Sequence, residues 1–227
     1  MTTFALLGSP FLGPEVWDPV ARELERRGRL STVVAGRGAT PEEVSLHYLA
    51  GLPADGEVVL VPHSNAGLNV PALAAARPLA GVVFVDAAFP GPGRTTPVAP
   101  AELVGRLRDL ADEEGLLPPW TSWWTEAEVA GLFPDEATRA AVEAGEPRVP
   151  AAYLSGRVPS PPGWETGLPA AYLAFGDTYG LEVALADEWG WPVTVLAGGH
   201  LHQLVDPVGV AEALEALARR LAGPAGA

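Results

Sequence analysis

The stretch Val58-Val59-Leu60-Val61-Pro62-His63-Ser64-Asn65-Ala66-Gly67 decides how this chain is read. An apolar, β-branched run ends at a serine flanked by small residues, and helix-compatible sequence follows from Leu68 to Ala76. A sharp turn from strand into helix lifts a serine hydroxyl clear of the carboxyl edge of a sheet. The backbone N–H groups just beyond it sit at a helix N-terminus, where developing negative charge is favoured. Ser64 is therefore the candidate nucleophile, with a strand over 57–63 and a helix over 65–76.

Strands and helices alternate on both sides of this turn. Residues 3–8 read as a buried strand, and 15–28 as an amphipathic helix with Val16, Val20 and Leu24 on one face and Gly28 at its end. Leu30 to Val34 is a second strand, and Thr40 is placed to cap a helix running to Leu52. Residues 80–86, 170–176 and 192–197 are further strands; 181–189 and 206–222 are helices. Short loops between alternating elements imply an α/β protein with a mostly parallel sheet of about six strands and helices on both faces.

Residues 89–168 break that rhythm. They are rich in proline and glycine, carry Trp120, Trp123 and Trp124, and contain helical stretches at 101–114, 125–132 and 135–144. The segment is too long for a simple crossover. It predicts a helical cap inserted into a core formed by 1–88 and 169–227, a single domain overall.

Composition narrows the function classes. A chain of 227 residues buries one large core, and with no cysteine it has no disulfide, thiolate or cysteine-ligated metal chemistry. No apolar run approaches the roughly eighteen residues of a membrane span. The stretch Phe4 to Leu7 is too short for a signal peptide, so a cytoplasmic protein is expected. The net charge is −14 and every one of the 14 basic residues is arginine. That balance keeps the surface soluble and repels nucleic acid and anionic membranes. The expected partner is a small-molecule substrate, and an apolar cap surface would permit a homodimer. Gly36-Arg37-Gly38 lacks the third glycine of a dinucleotide loop and no histidine–carboxylate cluster suits a metal, so no cofactor or metal is expected.

A serine alcohol needs an imidazole to take its proton, and the imidazole needs an acid to fix its tautomer. Of the four histidines, His47 is mid-helix and His63 precedes the serine with its ring directed elsewhere. His200 follows the strand at 192–197 through Ala197-Gly198-Gly199, where a base could reach the serine; His202 is the alternative in the same loop. Asp177, just past the strand at 170–176, is the candidate acid. Asp86 is its alternative, and Glu182 on the following helix is a weaker one.

At this point the chain resembles the α/β-hydrolase superfamily, in particular small single-domain members with a helical cap. The resemblance covers nearly the whole length. It rests on Gly8-Ser9-Pro10-Phe11 with Trp17-Asp18-Pro19-Val20, Pro62-His63-Ser64-Asn65-Ala66-Gly67, Val85-Asp86-Ala87, Phe175-Gly176-Asp177, and Gly198-Gly199-His200 with Asp206-Pro207. It implies cofactor-independent hydrolysis of an ester or thioester of a small apolar molecule, with Ser64, His200 and Asp177 as a triad and the N–H of Asn65 as one oxyanion donor. Trp120, Trp123 and Trp124 are read either as lining the substrate pocket or as anchoring the cap on the body.

The resemblance also implies a second donor after the first strand, in a His-Gly-X segment. The matching residues are Gly8, Ser9 and Pro10, and proline has no N–H. The second donor then falls to Phe11 or to the Ser9 hydroxyl. The same anomaly suits an alternative, a lyase, dehydratase or cyclase in polyketide-like biosynthesis, since such reactions form no tetrahedral oxyanion. A catalytically silent ligand-binding protein is the third reading.

Overall fold

The computed structural model describes residues 2–91 and 93–222. Its strands are β1 (Thr2–Leu7), β2 (Leu30–Val34), β3 (Glu57–Ser64), β4 (Gly81–Ala87), β5 (Thr95–Pro97), β6 (Arg157–Pro159), β7 (Ala170–Phe175) and β8 (Val193–Leu196). Six of them form one parallel sheet in the order β2-β1-β3-β4-β7-β8. Every residue of β4 and β7 is buried, as is all of β3 beyond Glu57, which explains their unbroken apolar sequence. The chain winds outward from β1 to β2 and then crosses back to β3. The carboxyl ends of β1 and β3 therefore flank the point where winding reverses, the usual place for a ligand crevice in such sheets.

The flanking helices are α1 (Asp18–Arg26), α2 (Pro41–Gly51), α3 (Val70–Ala76), α4 (Ala101–Arg108), α5 (Glu126–Val129), α6 (Glu136–Gly145), α7 (Gly180–Glu188), α8 (His202–Val205) and α9 (Pro207–Leu221). Helices α1 and α9 pack together, and α9 also covers β4 and β7. Trp17, fully buried, donates its indole N–H to Leu7 O at 3.1 Å and so ties the segment before α1 to the end of β1. Thr40 caps α2, its Oγ1 accepting the Glu43 N–H at 3.2 Å, in agreement with the sequence.

The helix expected over 15–28 starts as a 3₁₀ turn, Pro14–Trp17, and that over 125–132 is α-helical only over Glu126–Val129. Three further elements differ from expectation for local reasons. The helix after Ser64 begins as a 3₁₀ turn, Asn65–Asn69, and becomes α-helical only at Val70. Pro71 has no N–H with which to bond Gly67 O, so an α-helix cannot run through from residue 65. The helix expected over 101–114 stops at Arg108. Asp112 Oδ1 there accepts the N–H groups of Glu114 and Leu116, a local turn that competes with helix. The final helix is split ahead of Pro207, with Asp206 capping α9.

The segment between β4 and β7 contains α4, α5 and α6 and also an antiparallel ribbon, β5 with β6, that sequence periodicity did not signal. The ribbon is three residues per strand and carries no useful alternation. Residue 92 of this segment, and residues 1 and 223–227 of the expected core, lie outside the described residues. No helix among the described residues is long and apolar enough to cross a membrane.

Candidate active site

β3 ends in a conformation that few side chains adopt. Ser64 has φ 56° and ψ −128°. Strain of this kind costs on the order of 1–3 kcal/mol and persists where the surroundings over-determine it. Those surroundings are the end of β4. The ladder pairs His63 with Val85 and then Ser64 with Ala87, which leaves Asp86 without an opposite residue. Asp86 is bulged, with φ 39°, and its side chain is re-aimed by the kink. Ala88 N–H donates to Ser64 O at 3.1 Å. A Cβ on Gly67 would stand 2.1 Å from Ala88 O, so only glycine lets the two turns lie this close.

The bulged carboxylate meets the histidine loop. His200 Nδ1 lies 2.6 Å from Asp86 Oδ2, with Asp86 fully buried, and Asp86 Oδ1 accepts the Phe175 N–H at 3.0 Å. The carboxylate fixes the His200 tautomer with the proton on Nδ1, leaving Nε2 as a base. Tyr172 braces the bulge, its hydroxyl accepting Ala87 N–H at 2.9 Å and donating to Ala87 O at 2.7 Å.

This geometry corrects the expected acid. Asp177 is exposed in the turn after β7 and has no hydrogen bond to His200; Asp86, the alternative, has it. Gly176 takes φ 69° there, with Gly198 O 2.7 Å from where its Cβ would be, and the chain turns out to solvent. The loop instead presents Thr178, Tyr179 and Glu182 as pocket wall. His202, the alternative base, packs edge-on against Phe175. Glu182 bonds neither histidine, and burial raises its carboxyl above the ordinary value.

His63 is completely buried. Its Nε2 is 2.9 Å from the His200 carbonyl, and its ring stacks on the His200 ring at 4.6 Å and 28°. Burial, reinforced by the neighbouring His200, holds its pKa well below the usual histidine value, so it stays neutral.

The loop after β1 closes the other side. Tyr48, buried in α2, donates its hydroxyl proton to Gly8 O at 2.5 Å. Phe11 N–H is directed at Ser9 Oγ, 3.3 Å away. The Phe11 N–H, one of the two groups expected as second oxyanion donor, is thus taken within the turn, while the Ser9 hydroxyl, which accepts that bond, keeps its own proton to donate. The backbone N–H of Ser9, for which the sequence carries no signal, has no partner among the described residues. Asn65 uses its side chain to hold the insertion, donating to Val98 O at 2.6 Å and accepting from Tyr153 at 3.1 Å. Its backbone N–H stands at the start of the 3₁₀ turn, where no helical carbonyl precedes it.

Above these groups lies a pocket of about 410 Å³ lined by Ser64, His200, Phe11, Tyr179 and all three tryptophans, Trp120, Trp123 and Trp124. Trp120 and Trp123 are also buried, and Trp120 lies 5.9 Å from the His200 ring. They anchor the insertion and wall the pocket at once. Ser64 and His200 share this pocket floor without a direct hydrogen bond between them. Tyr179 lines the same pocket, its ring 5.7 Å from the His200 ring; burial pushes its pKa up, and the nearby Ser64 hydroxyl partly opposes that. Tyr179 escaped sequence reading because a tyrosine two residues past Asp177 carries no spacing signal.

The sheet order, the strained serine after β3 and the histidine loop after β8 define the α/β-hydrolase fold. Among solved structures the chain is similar to an extracellular α/β-hydrolase from Paenibacillus, at 20% identity over 96% of this chain and 98% of that one, TM-score 0.75. It is likewise similar to a pyrethroid hydrolase from Sphingobium faniae (24% identity, 99% and 98% covered, TM-score 0.65) and to tomato methylketone synthase I (16%, 97% and 98%, TM-score 0.70). No family model and no curated sequence matches it.

Proposed function

We propose that this protein is a serine hydrolase acting on an ester or thioester of a small, largely apolar molecule. The observation that carries the reading is the 2.6 Å bond from His200 to the buried Asp86, made beside a strained Ser64 at the floor of an aromatic pocket. Ser64 Oγ attacks the acyl carbon as His200 Nε2 takes its proton. Asp86 stabilises the imidazolium through Nδ1–H without accepting the proton. The N–H groups of Asn65 and Ser9 receive the oxyanion, each donor contributing about 10²–10³ in rate. His200 then protonates the leaving group. A water molecule activated by the same base attacks the acyl-enzyme and releases the acid. The two hydrolase neighbours fit this class of chemistry.

Intact-mass measurement after incubation with a fluorophosphonate tests it. One adduct on the wild type, lost in Ser64→Ala and His200→Ala, is the expected result. A folded wild type that stays unlabelled would overturn acyl transfer. Another reading would then lead, a non-hydrolytic elimination or cyclisation. It draws on the Tyr179 ring, 5.7 Å from the His200 ring, which sets a phenol beside the imidazole base without any acyl-enzyme.

A further inference from the structure

His63 has no part in the chemistry above, yet it meets the catalytic base both at its ring and at its backbone. The His200 loop enters through Gly198 and Gly199, which have no side chains to hold it. Asp86 bonds one atom of the His200 ring, Nδ1, and Trp120 and Tyr179 flank the ring at 5.9 and 5.7 Å, but none of these contacts holds the His200 backbone. His63 supplies two further restraints from β3: the 2.9 Å contact between its Nε2 and the His200 backbone oxygen, and the ring stack at 4.6 Å. A carbonyl only accepts, so the His63 proton is on Nε2. Gln203 approaches that nitrogen at 3.4 Å, and Trp17 meets the ring edge-on at 5.9 Å. His63 Nδ1 is buried with no partner among the described residues. A buried, unpaired acceptor is destabilising, and an apolar residue filling the same space would have avoided it.

We infer that His63 is a positioning residue for the proposed hydrolysis: an uncharged imidazole that clamps the His200 backbone and ring so that Nε2 stays aimed at Ser64. The two restraints come from the residue directly before the nucleophile, so one strand end sets both the serine and the reach of its base. Neutrality matters to this role. The imidazolium formed on His200 in each half-reaction is stacked on His63, and a second positive charge there would oppose it. Trp17 and Gln203, which also contact His63, carry no charge, and the Asp86 carboxylate stands on the far side of the His200 contact, bonded to Nδ1.

This inference rests on the triad reading, and its test separates the two. His63→Phe keeps a flat ring and removes the N–H; His63→Gln keeps an N–H at the reach of Nε2 and removes the ring. Turnover of p-nitrophenyl acetate and the rate of fluorophosphonate labelling are measured on folded protein. The Phe variant should lose about 10–100-fold in kcat and labelling rate with KM within about twofold, as expected for lost orientation, and Gln should recover several-fold of that loss. Equal loss in both variants, or loss of thermal stability with kcat per labelled site unchanged, would show a merely structural residue. Nitrogen-15 spectra of the wild type decide the matter if neither variant folds. His63 should remain neutral with its proton on Nε2 at the pH where an ordinary histidine titrates, and a His63 that titrates there or carries the proton on Nδ1 overturns the clamp. A wild type that neither labels nor turns over sinks the hydrolase reading, while the spectra still judge the His63–His200 contact.

Discussion

Two aspartates stand at the ends of neighbouring strands on the same edge of the sheet, and their surroundings are opposite. Asp86 is wholly buried, bulged out of β4 at φ 39°, bonded to Phe175 N–H and His200, and braced through Ala87 by Tyr172. Asp177 is exposed in a glycine-led turn after β7. On sequence grounds Asp177 is the favoured acid, since Ser64, Asp177, His200 follow the chain order common in this fold. The contrast teaches that reach is set by where the backbone kinks. A bulge that skips one residue of pairing turns a strand residue toward the neighbouring loop, whereas a turn that opens outward sends its side chain to water.

The largest effect expected is from Ser64→Ala or His200→Ala, each removing about 10⁴-fold or more of kcat, read against the wild type by ester hydrolysis and by loss of the phosphonate adduct. Either variant retaining wild-type activity would remove the frame in which the two aspartates are compared. Asp86→Asn should follow, at about 10³–10⁴-fold in kcat, because an amide favours the wrong His200 tautomer. Asp177→Asn should stay within about twofold, as surface substitutions usually do. A reversal of these two results breaks the comparison outright. Tyr172→Phe is a milder probe. It leaves Ala87 N–H and O unpaired beside the bulge, which should destabilise the fold by about 1–2 kcal/mol. Thermal melting would read this as a Tm lower by about 3–6 °C. An unchanged Tm would mean that the bulge needs no brace.

A further effect, on stability alone, comes from a third carboxylate, Glu146, buried in the segment between β4 and β7 and accepting from Thr121 N–H at 3.1 Å and Thr121 Oγ1 at 2.8 Å. Burial raises its pKa from 4.5 to about 7. The folded chain thus holds a proton that the unfolded chain has released, so this group's stabilisation is complete below about pH 4.5 and is lost as pH rises through about 7. Glu146→Gln keeps the acceptor and fixes the neutral state. Relative to wild type it should gain roughly 1 kcal/mol at pH 8 and little at pH 5, a difference read from paired melts. An equal shift at both pH values would place the carboxyl's titration outside that range. Unlike Asp86, which bonds His200, Glu146 bonds no imidazole.

Much of this site was written locally. The apolar run into Ser64, the small residues after it and the glycines before His200 are nearest-neighbour signals, and each element formed close to where they put it. Other features depended on partners distant in sequence. The ribbon of Thr95–Pro97 with Arg157–Pro159 joins segments far apart in the chain. The engagement of Phe11 N–H by Ser9 Oγ, and the approach of the Tyr179 ring to His200, required the folded loops.

By itself the sequence determined the alternating α/β order, the serine at the strand-to-helix turn and the histidine after the last strand. Periodicity, β-branching and turn chemistry act within a few residues and need no tertiary partner. Only the tertiary structure decided that Asp86 rather than Asp177 meets His200, and that His63 closes over the same ring. Both depend on strand register at one point, the shift between His63 and Ser64, and register is a property of two strands that no single stretch of chain encodes.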